Sequence, residues 1–250
     1  MRAFGAIGAI ALFLAAAEPA PAKQGNCNAN PAPGVNWSGC WKARLILRGR
    51  DLSGGIFGDT YFTTSDLSGT NLAGAQLTGA ELTRASLANA DLSDANLEKA
   101  SGSRVNLQGA RLRNARLFAA ELTRSDLTGA DLTGAILVNA EVARSNFAGA
   151  DLTGADVSRA ELTRIVLRDA KLSSARLSYS NLARSDLRGV DFADADLTGA
   201  SMFLAQLGGA DLSRARGLTQ DQLGLACGTS DTRLPEGLVE PSSWPCPEYD

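Results

Sequence analysis

Histidine is absent from this chain of 250 residues. That removes the side chain most used for proton transfer near neutral pH and the commonest metal ligand. Only four cysteines are present and none stands in a CxxC spacing, which disfavours a zinc site. Aromatic residues make up 6%, and the formal net charge is only −3, so the chain has no strong excess of either sign. Apart from the first residues, no apolar run approaches the ~20 residues that a membrane-spanning helix needs. Any catalysis would have to rest on carboxylates alone. An enzyme is therefore not expected, and no cofactor or metal is assigned.

What the chain has in abundance is leucine at a fixed interval. Leucine or a close apolar substitute returns every fifth residue from Leu52 to Leu212. In an α-helix five residues advance about 500°, so successive leucines fall about 140° apart and form no stripe. In a β-strand an odd spacing sends each one to the opposite face. A chain that turns through about a right angle every five residues gives them one interior, and four such sides close a coil.

The pentads read small, polar, Leu, Ser/Thr, Gly or polar, as in Ala90-Asp91-Leu92-Ser93-Asp94 and Ala130-Asp131-Leu132-Thr133-Gly134. This resembles the pentapeptide-repeat family, with its A(D/N)Lxx consensus. The resemblance implies an all-β fold, a right-handed quadrilateral β-helix of about 8–9 coils and roughly 40 Å at one strand spacing per coil. Ala at the first pentad position fits the narrow corners; Val105 and Ile165 should widen theirs. Gly102 is the one blank in the apolar column, read as a local dent or small cavity or, alternatively, a bulge that re-aims the wall from Ser101 to Arg104.

The ends differ from the middle. Met1-Arg2, an apolar run from Ala3 to Ala17 and a small-x-small stop read as a signal peptide over 1–22. Residues 23–44 are assigned to an N-terminal cap with an irregular first coil, because Lys42 occupies a core position; Trp37 is its first interior residue. The regular solenoid spans 45–216. Residues 217–250 form a C-terminal cap, with Thr219-Gln220-Asp221-Gln222 as a capping box opening a short helix before an irregular tail. Export and an even cysteine count predict disulfides, and the rod's length favours the local pairs Cys27–Cys40 and Cys227–Cys246. Trp41 and Trp244, like Trp37, are read as cap packing in preference to sugar binding.

Residues 20 apart share a wall, and this spacing exposes a second pattern. Arg84, Arg104, Arg124, Arg144, Arg164 and Arg184 form one column. Beside them run Glu81, Ser101, Glu121, Glu141, Glu161 and Asn181, with Thr83, Ser103, Thr123 and Thr163 between. Two readings stay open. The glutamates can neutralise the arginines in a surface ionic lattice, each pair worth about 0–1 kcal/mol. Alternatively, the column binds phosphates or carboxylates of a partner. The column Asp51, Asp91, Asp131 and Asp151 is interrupted by Arg111 and Lys171, as expected of a neutralised wall and not of a calcium ladder.

Some members of the family mimic DNA and inhibit topoisomerases. That needs about one negative charge per 1.7 Å, or roughly 23 over a 40 Å rod. Here acidic and basic residues along the solenoid nearly balance, so DNA mimicry is the disfavoured alternative and nucleic acid is not an expected partner. The expected protein is an exported, periplasmic, non-enzymatic scaffold, monomeric or dimerised end to end, whose arginine column meets an anionic envelope polymer or another protein.

Overall fold

The computed structural model describes residues 24–246, so the signal peptide read over 1–22 lies outside the described residues. The chain winds into a right-handed, four-sided β-helix. Parallel bridges join residues 20 apart, and one ladder climbs through nine of them from Asn36 to Arg216. At ~4.8 Å per rung the rod is about 43 Å long.

Each pentad has the same economy. The central leucine points inward and is buried, as is the alanine at each corner. The residue before the leucine bonds twice to the preceding coil: Leu92 N–H donates to Arg111 O at 2.7 Å, and Arg111 N–H to Ala90 O at 2.9 Å. The corner closes within the pentad, Ala95 N–H donating to Leu92 O at 3.0 Å. Asp or Asn before the leucine has a local role. Its carboxylate or amide oxygen accepts the N–H two residues on, as Asp91 does from Ser93 at 3.0 Å. The last residue of the turn takes a positive φ, supplied by glycine at Gly129, Gly134 and Gly149.

Corner residues larger than alanine strain this scheme where expected. Ile165 N–H reaches Leu162 O at 3.3 Å, and a void of about 10 Å³ lies beside it, lined also by Phe147 and Leu162. At Val105 the corner bond is gone, and its N–H donates to Ser125 Oγ at 3.0 Å. Gly102 makes no cavity. A Cβ there would stand 2.8 Å from Val105 Cγ2 and 3.0 Å from the Leu82 carbonyl carbon. The wall has moved inward, the dent alternative, and Val105 fills the space. The local rungs lengthen into two short parallel strands, β1 (Ser101–Ser103) and β2 (Glu121–Thr123). Buried serines stitch the same corner: Ser145 Oγ donates to Leu122 O at 3.0 Å and Ser185 Oγ to Leu162 O at 2.7 Å.

The caps depart from expectation in two places. The coil containing Lys42 is not irregular: Trp41 bridges Tyr61, and Lys42 N–H donates to Tyr61 O at 2.8 Å. The side chain adapts instead. Lys42 Nζ donates to Cys27 O at 2.7 Å and lies 3.8 Å from the Trp37 ring centre. Burial holds its pKa below the usual lysine range. At the other end α1 (Gln220–Leu225) starts at the Thr219–Gln222 capping box. The tail after it is not wholly irregular, because Cys227 and Arg233 bridge back to Gln206 and Asp211. Disulfides Cys27–Cys40 and Cys227–Cys246 close the two ends. Trp37 and Trp244 are buried beneath them.

Candidate functional site

The wall carrying β1 and β2 holds the six arginines, one per coil, at the last position of the turn. Their φ angles lie between 55° and 62°. This is the left-handed region, which costs a residue with a Cβ about 1–2 kcal/mol. The parallel turn columns through Asn89 and Asp94 meet the same demand almost entirely with glycine, asparagine and aspartate. Arginine has no side chain short enough to bond locally and relieve the strain. All six are exposed.

Ionic neutralisation does not occur there. Ten ion pairs are formed among the described residues, and none includes any of the six arginines. The lattice expected between the glutamate and arginine columns is therefore absent. At two of its glutamates the turn is the cause. Glu81 accepts the Thr83 N–H at 2.7 Å and the Ser101 hydroxyl at 3.0 Å. Glu161 accepts the Thr163 N–H at 3.0 Å and the Asn181 amide at 2.9 Å. Each carboxylate folds back on its own column, as the aspartates do elsewhere, and away from the arginine across the turn. Glu121 and Glu141 are exposed and likewise form no ion pair with an arginine.

The other walls contrast with this one. Arg111 pairs with Asp91 at 3.6 Å and Lys171 with Asp151 at 3.5 Å, which is the neutralised aspartate wall expected. The Ser68 hydroxyl and then Arg48 lower the Asp66 pKa to about 2. Partial burial raises that of Asp186, but hydrogen bonds from Arg188 and Arg168 outweigh it and bring it to about 2. Nine of the arginines off the column are engaged in ion pairs with carboxylates, with Arg50 and Arg159 among the exposed exceptions, whereas all six on the column lack an ion pair.

A second property separates this column from the rest. Between residues 81 and 200 the solenoid presents twelve outward-facing columns, and eleven of them vary from coil to coil. Only the arginine column is invariant over six coils. Beside Arg124 and Arg144, the small residues Ser103, Thr123 and Ala143 floor an open depression of about 290 Å³.

Reading residue types alone misses Trp41 and Tyr61. Trp41 is not cap packing: it is 72% exposed and stacks on Tyr61 at 5.2 Å between ring centres. The register was the available signal, since residue 41 immediately precedes core position 42 and so faces outward. Both rings head the column that continues as Glu81 and Ser101, next to Arg44. Among the described residues no His/Cys/Asp/Glu group is arranged to hold a metal ion.

Comparison with known proteins agrees with this architecture. The family profile described as pentapeptide repeats matches in eight copies, over residues 46–84, 80–117, 125–164, 165–202 and 180–216. Among solved structures, the chain is similar to HetL, a pentapeptide repeat protein involved in heterocyst differentiation regulation from the cyanobacterium Nostoc sp. strain PCC 7120. Identity is 29%, coverage 83% of this chain and 92% of that one, and the TM-score 0.48. Full-length QnrB1, a plasmid-mediated fluoroquinolone resistance protein, is 18% identical over 81% of this chain and 94% of its own, with a TM-score of 0.41. A pentapeptide repeat protein of the Arabidopsis thaliana thylakoid lumen is 30% identical over 42% and 79%, with a TM-score of 0.34. No curated protein matches the chain significantly. The family profile covers more than half of the sequence, and the chain belongs to the pentapeptide-repeat family.

Proposed function

We propose that this protein is an exported, non-enzymatic scaffold that holds an anionic component of the cell envelope against its arginine wall. The observation that carries the reading is the unpaired column from Arg84 to Arg184, invariant over six coils and set in a backbone conformation that disfavours arginine. Guanidinium groups in that state offer planar donor pairs to carboxylate or phosphate. Export is supported by the basic–apolar–small start of the sequence and by two disulfides, which persist in oxidising compartments. No helix among the described residues is long and apolar enough to cross a membrane. Disulfide-closed caps at both ends favour a monomer over end-to-end dimerisation.

The test is sedimentation of purified mature protein with envelope fractions of a diderm bacterium, comparing the parent with Arg124→Ala/Arg144→Ala/Arg164→Ala. The parent should pellet at physiological salt and the variant should stay in the supernatant. Equal pelleting of the two removes the reading.

A further inference from the structure

The arginine wall has an end. Its first two rungs carry Trp41 and Tyr61 in the outer column, with Arg44 on the same rung as Trp41. The rings are stacked with an interplanar angle of 28°. Stacking occupies one face of the indole, and its 72% exposure leaves the other face to solvent. An aromatic pair in this position forgoes the burial that stabilises Trp37 and Trp244, while the same column is otherwise Glu, Ser or Asn. Between the aromatic platform and Arg184 the midline carries Thr83, Ser103, Thr123 and Thr163, interrupted by Ala143 and Ala183. The Thr163 hydroxyl donates to Glu161, while the other hydroxyls keep their donors.

A ligand matching this strip must combine three features. It needs an anionic group repeating at about 4.8 Å to meet one arginine per coil. It needs a flat apolar face to lie on an indole, and polar groups for the midline hydroxyls. A sugar ring with its C–H face, its hydroxyls and one carboxylate supplies all three, and each unit of an extended glycan advances by nearly one coil. The wall is about 10 Å across, three residues at ~3.3 Å, and about 40 Å long. It suits a single extended chain.

We infer that the strip from Trp41 to Arg184 binds a linear acidic polysaccharide carrying one carboxylate per sugar, with Trp41 and Tyr61 stacking a ring at one end. This inference rests on the arginine-wall reading above and names its ligand class.

The probes are oligogalacturonates of increasing length, their fully methyl-esterified forms, poly-L-glutamate and oligo-dT, titrated by calorimetry and by tryptophan emission. Trp37 and Trp244 are buried, so an emission change reports Trp41. Affinity for oligogalacturonate should climb with length and level off at about eight units, one per rung from Trp41 to Arg184. Trp41→Ala/Tyr61→Ala should weaken it about tenfold and leave poly-L-glutamate binding unchanged. Esterification, or Arg124→Ala/Arg144→Ala/Arg164→Ala, should abolish it. If poly-L-glutamate or oligo-dT binds the parent as tightly as oligogalacturonate, or the aromatic variant binds oligogalacturonate like the parent, the polysaccharide assignment is overturned while the arginine wall stands. If the parent binds none of the anionic probes, or the arginine variant binds them as the parent does, the wall reading falls with it. Two parents per complex would place a second copy on the wall and overturn the assignment.

Discussion

Replacing Arg124, Arg144 and Arg164 together by glycine should make the protein more stable while removing the centre of the proposed binding wall. Their φ angles are 55°, 62° and 58°. A residue with a Cβ loses about 1–2 kcal/mol there, and the extra unfolded-state freedom of glycine returns about 0.5–1 kcal/mol, for a net gain of ~0.5–1 kcal/mol per site. Neighbouring guanidinium groups one rung apart repel by about 0.9 kcal/mol in water and roughly half that at physiological salt. Summed over three sites and the four neighbour repulsions they remove, the gain is about 3–5 kcal/mol, or an unfolding midpoint higher by ~1–2 M urea at an unchanged m-value. The alanine triple variant keeps the left-handed penalty and should gain only the electrostatic part. Urea unfolding followed by circular dichroism ranks the three proteins as glycine, alanine, parent. Should the glycine variant unfold at lower urea than the parent, the arginine stems hold the wall together by packing, and the case for a functional column fails.

Reduction should fray the ends before the middle. Loops of 13 and 19 residues separate the paired cysteines, and each bond is worth about 3 kcal/mol. Hydrogen exchange with reductant should lose protection near Trp37 and α1 but keep it around Leu132; uniform loss would show that the caps do not fold separately from the rod. Acid should act late. Asp66 and Asp186 titrate in the folded state at about 2, below the usual ~3.9. Their contribution is complete above pH ~4 and is lost only as the pH falls towards 2. Without histidine, melting temperature should be flat from pH 8 to 5, and a drop inside that window would contradict the assignment. Gly102→Ala should cost about 1–3 kcal/mol by overpacking against Val105 and the Leu82 backbone. Val105→Ala should relieve it, and an unaffected melting temperature for Gly102→Ala alone would show that the dent is not clamped.

The interior was legible because each pentad repeats one instruction, a large apolar side chain at the centre and a small residue at the corner, both facing inward. The cysteine pairs followed from the rod's length, which keeps the two ends apart. The exterior was less legible for a definite reason. Columns 20 residues apart tell which side chains are neighbours but not which way each turns. Glu81 and Glu161 adjoin arginines in the register, yet their carboxylates cap N–H groups two residues downstream in the same turn. Lys42 was misread because its stem is long enough to place Nζ on Cys27 O without disturbing the backbone. Trp41 was misread by residue type when its register already faced it outward.

These errors bear on what the arginine column means. In a repeat protein each local rule is tested once per coil, so a departure at a single coil can be accident and a departure at every coil cannot. At the arginine position three rules are broken together over six coils: glycine or asparagine is preferred at that φ, opposite charges are preferred nearby, and like charges are disfavoured one rung apart. The aspartate wall, made by the same chain with the same rise, pairs opposite charges through Arg111–Asp91 and Lys171–Asp151, although Asp131 and Asp151 still stand one rung apart. The fold therefore does not impose the violation. Sequences depart from local consistency mainly where function requires it, and that is the ground on which the column is proposed as the binding wall.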